Sequence, residues 1–375
     1  MRRRVQGQDG LSLKVDLIAA ARPNFMKIAP LFHALSRESW CRPRIVHTGQ
    51  HYDPNMSDAF FRDLQLPDPQ LHLGVGSGSH AEQLGGVMIA YERALADGRP
   101  DWIVVVGDVN STAACSLVGA KLWIPVIHLE AGLRSRDRRM PEEINRLVTD
   151  ALADVLWTPS PDADENLLAE GVPAGKIDLV GNIMIDSYEL MRARIDLAGT
   201  RQAMDLDGKK YGVVTLHRPS NVDDADALGV LVDGLVSTSR QVPLVFPLHP
   251  RTRNRLVEFG LMDRFNDSEI RIRDPLSYIE FMNLVSGCAM AITDSGGIQE
   301  ETTYLGIPCL TLRENTERPI TVTEGSNRLV KPRDLVDSAR IALSGSWTSG
   351  TRPALWDGHT ADRCVSALRR RAGIA

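Results

Sequence analysis

The chain has 375 residues, of which 43% are hydrophobic and 24% charged, with a formal net charge of -5. That balance excludes a disordered polymer and leaves no basic footprint for nucleic acid. The length exceeds one ordinary core and predicts two domains.

At the start, Arg2 to Arg4 are followed by polar Gln6 to Gly10 where a signal peptide would be apolar. No apolar run reaches membrane-spanning length. Residues 1–13 read as a disordered basic tail on a soluble, cytoplasmic protein with no membrane partner. Cys41, Cys115, Cys288, Cys309 and Cys364 form no CxxC pair, which argues against zinc ribbons and disulfide frameworks and fits a reducing compartment.

Short apolar runs then alternate with longer helical patterns: Val15 to Ala21, Arg44 to Thr48, Trp102 to Gly107, Pro125 to Leu129 and Val155 to Thr158. A second series runs Ile177 to Val180, Gly212 to Leu216, Leu244 to Leu248, Ile270 to Ile272, Ala289 to Thr293 and Pro308 to Leu312. Runs of this kind read as buried parallel strands. The predicted fold class is α/β, with two Rossmann-like doubly wound domains facing a central cleft. The first spans 14–180 and the second 181–354, with Gly181-Asn182 as the boundary and hinge. Val104 to Asp108 and Ala289 to Asp294 rhyme, each a strand ending in Asp before a small polar helix start.

Charged residues follow the strands, where parallel sheets place their ligands. Arg22 and Lys27 follow the first strand, Asp108 the third and Glu130 the fourth, the last within His128-Leu-Glu-Ala-Gly-Leu-Arg134. Glu142 and Glu143 open a helix behind Pro141, with Arg146 one turn on; an ordinary i,i+4 surface pair of Glu142 and Arg146 is the alternative. Crowded carboxylates acquire separated pKa values, so one can hold a proton while another accepts one. Further along come His217 with Arg218 and His249 with Arg251, cations suited to a nucleoside diphosphate, although a histidine there is as often structural. Histidine spacing requires no metal, and no cofactor is expected.

The most informative stretch is Thr293-Asp-Ser-Gly-Gly-Ile-Gln-Glu-Glu301. Free N–H groups at a helix start, the Ser295 hydroxyl and the side-chain-free Gly296 and Gly297 make a seat for a diphosphate, with Glu300 and Glu301 in the first turn to accept sugar hydroxyls. A helix merely capped by serine is the alternative.

Taken together these residues resemble the non-hydrolysing UDP-N-acetylglucosamine 2-epimerases, a family with the two-domain GT-B fold. The resemblance runs from Val15 to Val330 through Arg22-Pro to Lys27, Gly107-Asp108, His128 to Arg134, Pro141 to Arg146, His217-Arg218, Thr293 to Glu301 and Arg313-Glu-Asn-Thr-Glu-Arg-Pro319. It implies a C-terminal helix within 355–375 packing back on the first domain, and a homodimer. It also implies elimination of UDP across C1 and C2 of a UDP-sugar to a 2-acetamidoglucal, then re-addition with C2 inverted. Asp108, Glu130, Glu142 and His217 match the family's catalytic positions, with individual roles open. Arg22, Lys27, Arg134, Arg146, Arg218, Ser295, Gly296, Gly297, Glu301 and Arg313 match substrate-binding ones, and His249 joins them by its place after a strand.

The chain departs from the commonest family pattern at Asn24-Phe25-Met26 and at Pro219-Ser220. Those departures leave room for a modified substrate such as a UDP-2,3-diacetamido-glucuronate. Gln50-His51-Tyr52-Asp53-Pro54 replaces a segment that helps hold a second, activating UDP-sugar in some members, which argues against such activation here. A GT-B glycosyltransferase would share the diphosphate seat but need an acceptor surface, and no apolar or basic patch stands out for one.

Overall fold

A computed structural model describes residues 12–49, 61, 63–347 and 350–374. Most of the expected basic tail and the segment Gln50–Pro54 lie outside the described residues. The chain separates into two compact units: the described residues up to Leu190 together with those from Ala354 onward, and Met191–Pro353.

In the first unit the apolar runs become β1 (Leu13–Ala19), β2 (Cys41–His47), β3 (Leu71–His72), β4 (Trp102–Val106), β5 (Val126–Leu129), β6 (Val155–Thr158) and β7 (Ile177–Leu179). They form a parallel sheet in the order β3-β2-β1-β4-β5-β6-β7 among the described residues. Ile103, Val104 and Val105 are fully buried, because helices cover both faces and every side chain of a central strand must be apolar. The strand order reverses between β1 and β4. At that switch the loops following the two strands diverge, which opens a crevice at their carboxyl ends.

The helices of this unit are α1 (Arg22–Ser36), α2 (His80–Ala96), α3 (Asn110–Lys121), α4 (Pro141–Leu152), α5 (Pro161–Ala169) and α6 (Ile183–Leu197); the boundary at Leu190 falls inside α6. Helix α2 starts at a reciprocal cap, with the Glu82 amide donating to Ser79 Oγ and the Ser79 amide to Glu82 Oε2. Helix α4 inverts the usual amphipathic pattern. Its buried residues are Glu143, Asn145, Arg146, Thr149 and Asp150, while Ile144 is exposed.

The second unit's strands are β8 (Gly212–Thr215), β9 (Leu244–Pro247), β10 (Ile270–Arg273), β11 (Met290–Thr293), β12 (Cys309–Thr311) and β13 (Asn327–Leu329), in the parallel order β10-β9-β8-β11-β12-β13 among the described residues. Its helices include α7 (Ala225–Ser239), α8 (Pro250–Glu258), α9 (Tyr278–Gly287), α10 (Gly296–Leu305) and α11 (Leu335–Leu343). Val214, Leu231, Leu244, Phe246, Ile292 and Leu310 make its centre. Each such side chain stabilises by about 1.5–3 kcal/mol when fully buried. Here too the order reverses at the middle, between β8 and β11.

The strand that heads the second series in sequence falls within the first domain's expected bounds of 14–180, and there it stays. Ile177–Leu179 pairs with β6 through Leu156↔Ile177 and closes the edge of the first sheet. Strands β3 and β13 were not expected, being too short for any periodic signal.

The final helix, α12 (Thr360–Ala372), belongs to the first unit. Its N-terminal amides at Thr360 and Ala361 donate to the Asp186 carboxylate at 3.1 and 2.7 Å, and Trp356 Nε1 donates to the Pro159 carbonyl at 3.1 Å. Gly181 lies beneath this return with φ of 96°, and the Leu355 carbonyl fills the space a Cβ would need. None of the described helices is long and apolar enough to cross a membrane.

Gly181→Val should lower the thermal transition of the first unit by about 4 °C or more, since the left-handed backbone costs a side chain about 1–2 kcal/mol before any collision. Gly171→Ala, with φ of 85° but open space around it, should show the backbone cost alone. Equal shifts for the two variants would mean that the Leu355 contact does not matter.

Candidate active site

Asn24 fastens the loop after β1. Its Oδ1 accepts from the amides of Ala20 and Ala21 at 3.3 and 3.0 Å, and its Nδ2 donates to the Val106 carbonyl of β4 at 3.2 Å. The departure from the family pattern at this position thus binds the start of α1 to the next strand of the switch. Lys27, on the buried side of α1, donates to Glu130 Oε2 at 2.5 Å. Gly107 adopts φ of 67°, and a Cβ there would stand 3.3 Å from Lys27 Nζ and 3.8 Å from Glu130 Oε2.

Glu130 itself has φ of 71°, a conformation that costs a non-glycine residue about 1–3 kcal/mol and that clusters at functional sites. Its Oε2 is held by Lys27; its Oε1 is buried and has no hydrogen-bond partner among the described residues. A buried carboxylate oxygen in that condition is costly unless something is meant to meet it.

Asp108 follows Gly107 and remains about one-third exposed. Arg146 Nη1 grips its Oδ2, and Asn145 Nδ2 donates to its carbonyl at 2.9 Å. Arg146 also pairs with Glu143 at 2.5 Å, one turn earlier on α4. Glu143 accepts from the Ser135 amide and hydroxyl and from the Arg136 amide. Burial opposes its ionisation, but Arg146 and those amides outweigh burial and hold its carboxyl below the usual range. The expected Glu142–Arg146 face is therefore replaced by Glu143–Arg146–Asp108, and Glu142 is exposed on the first turn of α4.

Arg134, expected among the cations for a ligand, is enclosed by carboxylates. It contacts Asp150 at 2.7 Å and takes Glu170 through Nε and Nη2 at 2.8 and 2.7 Å. Burial works against its charge and those partners reinforce it, with the net pKa raised. Lys27, Arg134 and Arg146 thus all face protein carboxylates; Arg22 opens α1 and is exposed.

In the second unit Asp294, fully buried at the end of β11, gathers the loop after β8. It accepts from the amides of His217 and Arg218 at 3.1 and 2.9 Å, from Asn221 Nδ2 at 3.0 Å, and meets His217 Nδ1 at 3.1 Å. Burial disfavours its charge, yet His217 and these donors keep its carboxyl below the usual range. The His249 ring lies 5.6 Å from that of His217, and burial followed by His217 lowers its pKa. Arg251 is taken up by Asp223.

Ser295 precedes α10, and its hydroxyl makes no capping bond to the helix. Ser295 nevertheless occupies the N-cap position, with extended backbone. The two glycines differ. A Cβ on Gly296 would meet Glu317 Oε1 at 2.9 Å and Arg318 Nη1 at 3.0 Å, whereas nothing lies within 4 Å of one on Gly297. Gly296 thus abuts the Glu317–Arg318 pair, while Gly297 faces open space.

Glu317 sits between Arg313 and Arg318, each at 2.7 Å; burial opposes its charge, and the two guanidiniums hold it well below the usual carboxylate range. Arg313 Nη1 is buried without a partner among the described residues. Glu300 and Glu301 fall in the second turn of α10, not the first, and both are buried. Glu300 pairs with Arg318 at 2.8 Å, and Tyr278 donates to Glu301 at 2.6 Å. No group of three or more His, Cys, Asp or Glu able to hold a metal occurs among the described residues.

Sequence reading missed His128, Glu143 and Asp150 in the first unit, and Asp294, Glu317 and Arg318 in the second, as organising groups. Glu143, Arg146 and Asp150 recur at helical spacing, a charged stripe that would have shown α4 turning its polar face inward.

A family model of UDP-N-acetylglucosamine 2-epimerases matches residues 33–369. The UDP-N-acetylglucosamine 2-epimerase of Methanocaldococcus jannaschii is 41% identical over 343 residues, covering 88% of this chain and 93% of that one. The UDP-2,3-diacetamido-2,3-dideoxy-D-glucuronate 2-epimerase of Pseudomonas aeruginosa is 40% identical over 338 residues, covering 88% and 92%. A crystal structure of the Methanocaldococcus jannaschii enzyme with UDP-GlcNAc and UDP superimposes with a TM-score of 0.86 at 39% identity, over 96% of this chain and 100% of that one. Two doubly wound units with carboxylates and a glycine-bearing helix start at their strand ends define a nucleotide-sugar enzyme of the GT-B fold. The chain belongs to the UDP-N-acetylglucosamine 2-epimerase family.

Burial pushes the Glu301 carboxyl up to about 8, against the Tyr278 hydrogen bond and with Glu300 adding to the rise. The folded state therefore holds this proton more tightly than the unfolded one, so its contribution to stability is present below the ordinary carboxylate pKa and is lost as pH rises toward 8. The thermal transition of Glu301→Gln should gain on that of the wild type between about pH 5 and about pH 8. A constant offset across that range would show that Glu301 titrates normally.

Proposed function

We propose that this chain is a non-hydrolysing isomerase that interconverts UDP-N-acetylglucosamine and UDP-N-acetylmannosamine. The observation that carries the reading is Glu130: strained backbone, one oxygen fixed by Lys27, the other buried and unpartnered among the described residues. That is a carboxylate held ready for a proton that the protein itself does not supply.

The C2 proton of the sugar lies beside an amide nitrogen and is not acidic. The C1–O bond must therefore break with its electron pair going to the β-phosphate oxygen, so that positive character at C1 acidifies C2. Stabilising the departing diphosphate comes first, and the Gly297 amide at the α10 start, the Ser295 hydroxyl, the second nitrogen of His217 and Arg313 Nη1 suit that task. Loss of the C2 proton then gives the 2-acetamidoglucal. Return of a proton to the other face of C2, with UDP adding back at C1, completes the inversion. Asp108, Glu130 and Glu142 are the proposed acid–base groups. In this reading the enzyme works in the cytoplasm as a homodimer, and light scattering on the purified chain tests the dimer.

Incubation with UDP-N-acetylglucosamine alone in deuterated water should yield the manno isomer carrying deuterium at C2, with no acceptor present. Product with full protium at C2 would contradict the mechanism. Turnover of a UDP-2,3-diacetamido-glucuronate in preference to UDP-N-acetylglucosamine would move the assignment to the modified sugar.

Asp108→Asn and Glu130→Gln should each lower kcat by about 10²-fold or more, with UDP affinity nearly unchanged. Gly297→Leu should do the reverse, weakening UDP in calorimetry before it affects folding, because its surroundings are open. Loss of UDP binding in the carboxylate variants would make those groups structural.

A further inference from the structure

His128 lies at the middle of β5 with no solvent exposure, and both of its ring nitrogens are engaged. Nδ1 meets Asp150 Oδ1 at 2.6 Å, and Nε2 meets the carbonyl oxygen of Gly107 at 2.9 Å. The Gly107 carbonyl can only accept, so Nε2 donates to it, while Asp150 holds the ring from its Nδ1 side. The other oxygen of Asp150 accepts from the Gly132 amide at 3.1 Å and contacts Arg134 Nη1 at 2.7 Å.

One carboxylate therefore reaches both reacting loops. Through His128 it holds the carbonyl one residue before Asp108, and directly it holds the amide two residues after Glu130. Gly107, Glu130 and Gly132 all have positive φ, at 67°, 71° and 80°. The two glycines take this conformation without steric cost while Glu130 does not, and a Cβ on Gly132 would collide with the Ala163 carbonyl.

We propose that Asp150, acting through His128, is a positioning residue that fixes the spacing of Asp108 and Glu130; this rests on the 2-epimerase reading above. Neither group touches the substrate. Their effect falls on the step in which C2 loses one proton and gains another, since a displacement of about 1 Å can cost about 10²-fold in rate. A pair kept for stability alone would be matched or surpassed by well-packed apolar residues. A mispositioned pair of carboxylates also has a chemical signature: elimination and re-addition come uncoupled, and 2-acetamidoglucal and UDP escape.

The experiment compares the purified full-length wild type with Asp150→Asn, using UDP-N-acetylglucosamine. The variant should lose about 10²-fold in kcat, keep its UDP dissociation constant within about threefold, and release glucal during turnover. Unchanged kcat overturns the proposal, as does a fall in kcat and UDP affinity that tracks a lowered thermal transition. If Asp150→Asn does not fold, Glu170→Gln carries the test, because it loosens Arg134 from a carboxylate that is 37% exposed. A loss of about threefold or more in kcat at constant UDP affinity is then expected, and unchanged kcat overturns the proposal. A wild type that does not epimerise UDP-N-acetylglucosamine overturns the 2-epimerase reading and this proposal with it; an active wild type beside a fully active variant overturns this proposal alone.

Discussion

Charge buried on the inner face of α4 is the constraint on which the first unit depends. Glu143, Arg146 and Asp150 lie beneath the loops after β4 and β5. Taking each ion out of water costs several kcal/mol unless a partner meets it with good geometry, and removing one partner of such a pair costs about 3–5 kcal/mol. The partners here are not neighbours on the helix alone. Arg146 reaches Asp108, Glu143 reaches Ser135 and Arg136, and Asp150 reaches His128, Gly132 and Arg134. The placement of these partners follows the loops, and the strained backbone at Glu130 is held by its ion pair with Lys27 and by its amide, which donates to the Trp157 carbonyl at 3.1 Å.

The second unit solves a related problem with different residues. Asp294 gathers the loop after β8 through backbone amides and the His217 ring, and Glu317 neutralises two guanidiniums that would otherwise repel across the α10 start. A phosphate seat made only of cations would be unstable when empty. In the proposed seat Glu317 pairs with both Arg313 and Arg318, which holds their side chains in place without an anion, and Arg313 Nη1 has no partner among the described residues.

Much of this was legible in the sequence, for reasons that vary by element. The buried strands showed themselves because parallel sheets demand continuous apolar runs, and the start of α10 because an apolar run stops at a polar, glycine-bearing turn. What stayed hidden is pairing. Nothing in the spacing of Arg134 tells that it faces Asp150 and Glu170, sixteen and thirty-six residues on, instead of a ligand. Gly296 and Gly297 look alike in sequence and differ only by what stands opposite them. Strand β7 fell inside the expected bounds of the first domain, but its three half-buried residues carry no sign of which strand they pair with.

The first unit is also discontinuous along the chain, since α12 and the segment before it belong with residues up to Leu190. During synthesis the sheet of that unit emerges long before the residues that take up the Asp186 carboxylate and that seat Trp356 against the Pro159 carbonyl. The second unit, continuous from Met191 to Pro353, is complete earlier. Maturation order therefore runs against chain order: the half that begins first finishes last, and until residues 354–374 emerge the proposed proton-handling loops rest on a scaffold missing one of its walls.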